Sequence, residues 1–281
     1  MKTKPPVLPY ILLTLLTLVA FAGNSLLCRL ALKHSDIDAA SFTTIRLFSG
    51  AVILWLIARG RPRDTTGQGS WSAAFALFAY AAAFSFAYLN LTVATGALLL
   101  FGAVQGTMIG YGIRKGERLS RLKAAGIVLA VLGLVGLLLP GLSAPPPGAS
   151  ALMLAAGIAW GIYTLLGRKA GDPVKVTAGN FLRAAPMALA LSLLTLPYAT
   201  LDQAGIGYAL ASGALASGIG YVLWYTVLPQ IKTSTAATLQ LSVPVIAAAG
   251  GTLFLGEPIT IRLLLASATV LGGIALVVLT K

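Results

Sequence analysis

Apolar runs of about twenty residues alternate with short polar connections along almost the whole of this chain. A helix needs roughly 20 residues to cross the hydrocarbon core of a bilayer, which is about 30 Å thick. The pattern therefore predicts an all-α integral membrane protein with ten spanning helices. We place them at residues 9–32, 39–58, 71–91, 93–113, 121–140, 149–168, 176–197, 206–226, 233–254 and 262–280.

Composition agrees with this prediction and excludes a large soluble domain. The 281 residues are 58% hydrophobic and 10% charged, whereas about a quarter of a typical soluble domain is charged. The single cysteine, Cys28, rules out a disulfide within the chain. Lys2 and Lys4 before the first run imitate a signal peptide, but the run continues to about Leu32. This is too long for a signal core, so we expect the first helix to be retained.

The net charge of +13 is explained by membrane topology better than by nucleic-acid binding, because the basic residues lie in short loops between apolar runs. Suppose the N-terminus is cytoplasmic and the chain crosses ten times. Then 15 of the 20 Lys and Arg residues are inside, three are outside, and Arg46 and Arg183 lie within spans. This asymmetry predicts a bacterial-type cytoplasmic (inner) membrane protein with both termini cytoplasmic and no nucleic-acid partner.

The chain also repeats itself. FAGNSLLCR (21–29) resembles WGIYTLLGR (160–168), Arg46 aligns with Arg183, and GERLSRL (116–122) aligns with GEPITIR (256–262), at offsets of 139, 137 and 140 residues. The halves are residues 1–140 and 149–281, joined by an outer linker at 141–148. Each half has five predicted spans, an odd number, so the second half is inverted. Inverted repeats place the substrate site near the membrane midplane between the halves.

Several motifs suggest a family. They are the doubled five-helix unit, the GE-x-[LI]-[ST] turn before the last helix of each half, and the small-residue stretches TVATGALL (92–99) and KTSTAATLQLSVP (232–244). With these features the chain resembles the ten-helix EamA-type exporters of the drug/metabolite transporter superfamily, most closely bacterial exporters of amino acids, including aromatic ones. The resemblance implies export of a small molecule through a central cavity, by alternating access of the two halves.

Polar and aromatic side chains near the middle of spans are the candidates for contact with substrate, because a polar group facing lipid is costly. The alternative is hydrogen bonding between helices without a role in binding. The difference between Asn24 and Tyr163 at the same position of the repeated phrase favours a binding role, since structural contacts would tend to be alike in both halves. The predicted cavity residues are Asn24, Tyr80, Trp160, Tyr163, Ser217 and Gln240, with Ser85, Gln105 and Tyr221 in similar mid-span positions.

The sequence supports more specific expectations for two arginines, three glycines and two prolines. Arg46 and Arg183 are predicted to act alike; we favour a structural role for both, with gating or recognition of a substrate carboxylate as the alternative. Gly102, Gly106 and Gly110 have the small-xxx-small spacing of close helix packing. That spacing also suits a dimer interface, so a monomer and a homo-oligomer both stay open. Pro186 and Pro244 are expected to interrupt the seventh and ninth helices, either as breaks that open a binding site or hinge or as ordinary tolerated kinks.

All seven acidic residues fall in loops or at span ends. This favours neutral or zwitterionic substrates and gives no evidence of a proton relay inside the membrane. No P-loop motif supports ATP drive, and the sequence implies no metal or cofactor. A sugar-phosphate, nucleotide-sugar or drug exporter is an alternative, although phosphates would call for more cavity cations than two arginines. An enzyme is disfavoured because the single histidine, His34, lies in a loop.

Overall fold

The protein is described from a computed structural model, which covers residues 7–60, 68–116, 120–141, 144–167, 171–227 and 239–279. Within those residues the chain is helical throughout and has no strand. The helices are α1 (Val7–His34), α2 (Ala39–Arg59), α3 (Trp71–Tyr88), α4 (Val93–Arg114), α5 (Arg121–Leu138), α6 (Pro147–Gly167), α7 (Pro173–Leu194), α8 (Gln203–Val227), α9 (Val243–Leu255) and α10 (Ile261–Leu279). Among these, all but α9 are long and apolar enough to cross a membrane. The prediction of an all-α membrane fold is confirmed.

Side-chain caps explain where most of these helices begin. The side chains of Asp38, Ser70, Thr92 and Ser120 each accept a hydrogen bond from a backbone N–H in the first turn of α2, α3, α4 and α5. A side-chain acceptor at this position satisfies an N–H group that has no partner within the helix. The predicted starts at 39, 71, 93 and 121 are therefore confirmed.

Two predicted boundaries were wrong because their caps were overlooked. Asp172 caps α7, which begins at Pro173 rather than at 176, and ends at Leu194 before a short 3₁₀ turn. Asp202 caps α8, which begins at Gln203 rather than at 206. An aspartate before an apolar run is a helix-start signal that places both boundaries three residues earlier.

The predicted proline breaks have different outcomes. Pro186 lies inside the continuous helix α7, which agrees with the alternative of a tolerated proline and not with a helix break; membrane helices tolerate a proline where neighbouring groups take up the freed carbonyl. Pro244 lies in the first turn of α9, directly after a turn at residues 241–242. Its missing N–H costs nothing there, and the helix break predicted in the ninth span is confirmed. The predicted start of that span, at 233, lies outside the described residues.

Helix α8 is unusual because its middle is wound as a π-helix over Ala211–Ile219. The flanking parts, Gln203–Leu210 and Gly220–Val227, are ordinary α-helix. In a π-helix the backbone hydrogen bonds join residues five apart rather than four, and such segments frequently occur at functional sites. The π segment packs against α1 and α2, which places it at the centre of the protein.

The helix contacts follow a regular scheme. Helix α1 packs against α8 and α9, while α6 packs against α3 and α4. Helix α2 packs against α7 and α8, and α7 packs in turn against α2 and α3. Helix α5 pairs with α10. Each of these contacts is matched by its counterpart when the two five-helix halves are exchanged.

Glycine determines how closely α5 and α10 approach. A Cβ atom added at Gly126 would lie 2.6 Å from the carbonyl oxygen of Gly273, and one added at Gly273 would lie 2.5 Å from that of Gly126. Of the glycines predicted to pack on α4, Gly102 lies against Leu134 on α5. At Gly106 and Gly110 an added Cβ would meet no described atom within 4 Å. Among the described residues no helix packs closely against these two positions, which are exposed, and a packing role for them stays a prediction.

Candidate functional site

A small cavity lies among α1, α3, α4, α6 and α8. Its polar lining includes Asn24 and Tyr80, and its aromatic lining includes Trp160 and Tyr221; Phe21, Ser25, Phe84, Leu100 and Phe101 complete it. The enclosed space is about 20 Å³, roughly enough for one water molecule. It is too small for an amino acid, so the helices around it have to separate before a metabolite can enter.

A chain of hydrogen bonds runs through the wall of this cavity and joins four helices. Ser212 Oγ on α8 donates to Asn24 Oδ1 on α1 at 2.6 Å, and Asn24 Nδ2 donates to the Tyr80 hydroxyl on α3 at 3.1 Å. Arg46 Nη2 on α2 donates to the same hydroxyl at 3.0 Å, and Arg46 Nε donates to Ser217 Oγ at 3.3 Å. All five side chains are buried. We call this chain of five residues the central polar network.

The π segment makes this network geometrically feasible. Ser212 and Ser217 are five residues apart, which is the hydrogen-bonding repeat of a π-helix. In an α-helix, residues five apart diverge by about 140° around the axis. The π winding therefore brings the two serines close to one face, where one meets Asn24 and the other meets Arg46.

Aromatic side chains surround the network on the other side. The Trp160 ring lies 4.9 Å from Tyr80, 4.8 Å from Tyr221, 5.4 Å from Tyr163 and 6.2 Å from Phe21, measured between ring centroids. These are the separations at which tilted and edge-to-face aromatic pairs attract each other. The rings come from α1, α3, α6 and α8, so movement of any one of these helices changes the shape of the cavity.

Arg46 and Arg183 do not have the same environment, contrary to the prediction that they act alike. Arg46 is 1% exposed and belongs to the central polar network. Arg183 is only partly buried and donates to the backbone carbonyl oxygens of Gln68, just before α3, and of Gly179, one turn earlier on α7. Its contacts fit the structural role that we favoured for both arginines.

Cap spacing explains this difference. Arg46 comes eight residues after the α2 cap Asp38, whereas Arg183 comes eleven residues after the α7 cap Asp172. The residue eight positions after Asp172 is Asn180, which is 1% exposed and donates to the Tyr163 hydroxyl at 3.5 Å. The alignment of the two halves missed Asn180 because it paired Arg46 with Arg183. Counting from the capping aspartates would have found Asn180.

The structure brings together three of the six predicted cavity residues, since Asn24, Tyr80 and Trp160 line the space. Tyr163 stacks behind Trp160, and Ser217 contacts Arg46, so both lie one layer further out. Gln240 is buried, but it does not line this cavity. The prediction did not include Phe84, because an isolated phenylalanine in an apolar run gives no sequence signal. It also missed Phe21, although Phe21 has the position of Trp160 in the repeated phrase.

A second polar cluster closes one end of the molecule. Arg29 Nε donates to Glu257 Oε1 at 3.1 Å, and Arg29 Nη1 donates to the carbonyl oxygens of Tyr88 and Leu89. Glu257 Oε2 accepts from Val93 N at 2.7 Å. These contacts tie the end of α1 to the α3–α4 connection and to the α9–α10 connection. We call the Arg29–Glu257 pair with its backbone partners the end clamp.

The fold and this site define a class of protein: a multi-pass membrane protein with an occluded polar and aromatic cavity at its centre, as in membrane transporters. Comparison with known proteins agrees with that class. The profile of the EamA-like transporter family matches residues 148–279. The chain belongs to this family, within the drug/metabolite transporter superfamily.

Individual relatives cover the whole chain or only half of it. An uncharacterised protein of Pseudomonas aeruginosa is 57% identical over 268 residues, which is 95% of this chain and 93% of the relative. The threonine/homoserine exporter of Escherichia coli K12 is 35% identical over 152 residues, covering 52% of this chain and 51% of the exporter. One solved crystal structure superposes with a TM-score of 0.64 at 21% identity, covering 94% of this chain and 97% of its own. That likeness concerns the fold alone.

Proposed function

We propose that this protein exports small neutral or zwitterionic metabolites, in particular amino acids including aromatic ones, across the cytoplasmic membrane. The observation that carries the proposal is the central polar network beside an aromatic wall at an occluded cavity. Burial of a polar group inside a membrane protein is energetically unfavourable, so such groups commonly mark a functional site. The half-length similarity to a threonine/homoserine exporter supports amino acids as the substrate class.

Transport follows from alternating access of two inverted five-helix halves, residues 1–140 and 149–281. The matched helix contacts support this part of the proposal, because exchange of the halves converts the α1 contacts into the α6 contacts. The cavity lies where α1 and α6 meet helices of the opposite half. Rocking of the halves would open it first to one side of the membrane and then to the other.

The test is flux of labelled threonine and phenylalanine into liposomes containing the purified protein, with and without an imposed proton gradient. Trp160→Ala should lower flux at least tenfold, because it removes the ring that contacts four others in and behind the cavity wall. Ile162→Ala is the matched control, since this side chain lies on the same helix but is 43% exposed on the outer surface of the protein. Equal flux in both variants would exclude Trp160 from the transport path, and absence of flux for every amino acid would refute the proposal.

We further propose that both termini are cytoplasmic, as the Lys and Arg distribution indicates. In a Cys28→Ala background, Asp36→Cys and Lys115→Cys introduce thiols at exposed positions at opposite ends of the molecule. A membrane-impermeant maleimide added to intact cells should label Asp36→Cys and leave Lys115→Cys unlabelled. The reverse labelling would show the opposite orientation.

A further inference from the structure

Arg46 is a buried positive charge without a negative partner. Its side chain is 1% exposed, so the guanidinium does not reach water or lipid headgroups as a snorkelling arginine does. Among the residues that the structure describes, no carboxylate lies within ion-pair distance of it. The nearest described acidic residue along α2 is the cap Asp38, two helical turns away and engaged with backbone N–H groups.

The partners of Arg46 leave part of its hydrogen-bonding capacity unused. Nη2 and Nε donate to the hydroxyls of Tyr80 and Ser217, while Nη1 has no acceptor among the described residues. The guanidinium carbon also lies 5.2 Å from the Tyr80 ring centroid and 5.0 Å from that of Phe84. Aromatic rings attract a cation but do not neutralise it. A full positive charge and a free N–H donor therefore remain beside the cavity.

Two residues connect this charge to the cavity, because Tyr80 and Phe84 both contact Arg46 and both line the enclosed space. The Tyr80 oxygen accepts one hydrogen bond from Asn24 and one from Arg46. These two bonds occupy both of its acceptor positions. Its own proton is then available only for donation. The Arg46 charge and the Tyr80 proton thus both favour a negatively charged acceptor on this side of the cavity.

We infer that Arg46 is the carboxylate-recognition residue of this transporter, and that the substrate is selected by its carboxylate and not by its amino group. The inference rests on the proposed function and narrows its substrate class. Burial of an unpaired ion is unfavourable, and a bidentate carboxylate is the partner that matches a guanidinium best. A bound carboxylate supplies the missing negative charge when the helices open and admit it.

The positive charge of Arg46 also determines which molecules the site excludes. An uncompensated cation repels a substrate ammonium group, and the described cavity lining contains no acidic side chain to balance it. Amines without a carboxylate are therefore excluded. Carboxylates without an amine bind at least as well as the corresponding amino acids, which distinguishes this site from one that requires a zwitterion.

Two matched series of probes test the inference on the wild-type protein. The first is L-phenylalanine, 3-phenylpropionate and phenethylamine; the second is L-threonine, 3-hydroxybutyrate and 1-amino-2-propanol. Within each series, the second compound keeps the side chain and lacks only the amine, and the third keeps the side chain and lacks only the carboxylate. Binding is measured as the rise in thermal unfolding temperature of the purified protein, and as inhibition of amino-acid flux into liposomes. In at least one series, both carboxylates should bind and the amine should bind at least tenfold more weakly.

Variants of Arg46 test whether the preference for carboxylates over amines depends on this residue. Arg46→Gln should lower carboxylate affinity at least tenfold and remove the discrimination against the amine. Arg46→Lys keeps the charge, so it should keep the order of preference at reduced affinity. The Lys variant and the wild-type probe series decide the matter if Arg46→Gln fails to fold. Arg183→Gln is the control, because Arg183 contacts only backbone carbonyls and Trp71 among the described residues.

The outcomes separate the two proposals. If amino acids are transported but the amine competes as well as the carboxylate, or if Arg46→Gln leaves their ratio unchanged, the inference about Arg46 is overturned and the export proposal stands. If the wild-type protein transports no amino acid and binds no probe, the proposed function is refuted, and the inference falls with it.

Discussion

The end clamp should contribute more to stability than any other single polar contact at that end of the molecule, and Glu257→Gln tests this. Glu257 is 5% exposed and holds Arg29 with one oxygen and the Val93 N–H with the other. Glutamine keeps the size of the side chain and one acceptor but removes the charge. The single amide oxygen can replace only one of the two carboxylate oxygens; when it accepts from Val93 N, Arg29 keeps only its backbone partners, the carbonyl oxygens of Tyr88 and Leu89.

The expected loss follows from the burial of the pair. Removing one partner of a fully buried ion pair costs about 3–5 kcal/mol. A hydrogen bond to a charged group contributes about 1.5–3 kcal/mol. The Arg29 side chain is 11% exposed, so water compensates part of the lost charge. We therefore expect Glu257→Gln to lower the free energy of unfolding by about 2–3 kcal/mol.

The measurement is unfolding of the purified protein in mixed micelles by increasing SDS, followed by circular dichroism. Asp36→Asn is the matched control, because Asp36 is an exposed acid beyond the same end of α1 and should change stability by less than about 0.5 kcal/mol. A double-mutant cycle with Arg29→Met isolates the pair, with an expected coupling of about 2 kcal/mol. A Glu257→Gln loss no larger than that of the control, or a coupling near zero, would refute this account of the clamp.

Three further outcomes follow from contacts described above. Gly126→Ala should destabilise by about 1–3 kcal/mol, because its Cβ would collide with the α10 backbone; Gly136→Ala on the same helix meets nothing within 4 Å and should be neutral or slightly stabilising. Burial opposes ionisation of Asp38, but hydrogen bonds from Ser41, Thr200 and Ala40 outweigh it and hold its pKa below the ordinary 3.8. The stability that this carboxylate contributes is therefore complete above that value and lost as the pH falls through the lower folded-state pKa; Asp38→Asn keeps a capping acceptor and should flatten this part of the pH–stability curve. Arg183→Gln should cost about 1–2 kcal/mol of stability without changing which substrate is transported.

Sequence alone predicted the helices well because their causes are local. Apolar length sets the spans, and capping residues such as Ser70 and Thr92 set their starts. The long-range prediction that Asn24, Tyr80 and Trp160 share one cavity also agrees with the structure. Polar side chains in the middle of a span are unfavourable in lipid and therefore face the protein interior or a cavity. Their role in substrate binding stays a prediction.

Other features could not be predicted, because they depend on contacts between helices. The burial of Arg46 beside Tyr80 and Ser217 joins three helices, although the sequence does contain the different spacing of Arg46 and Arg183 from the capping aspartates. The pairing of Arg29 with Glu257 joins residues 228 positions apart, and neither residue has a local signal for the other. The π winding of Ala211–Ile219 has no sequence signature that we identified.

That winding makes the number of residues in α8 as important as their identity. Leu215 lies in the π segment with its side chain 59% exposed, so substitution by another apolar residue should have little effect. The number of residues has a larger effect, because the same residues wound as ordinary α-helix would turn the rest of α8 by about 100° for each extra residue that the π winding accommodates. Tyr221 and Trp224 would then leave the aromatic wall. An insertion in this helix therefore alters the cavity without changing any residue that lines it, whereas deletion of Leu215 leaves Tyr221 and Trp224 nearly in place when the segment becomes α-helical.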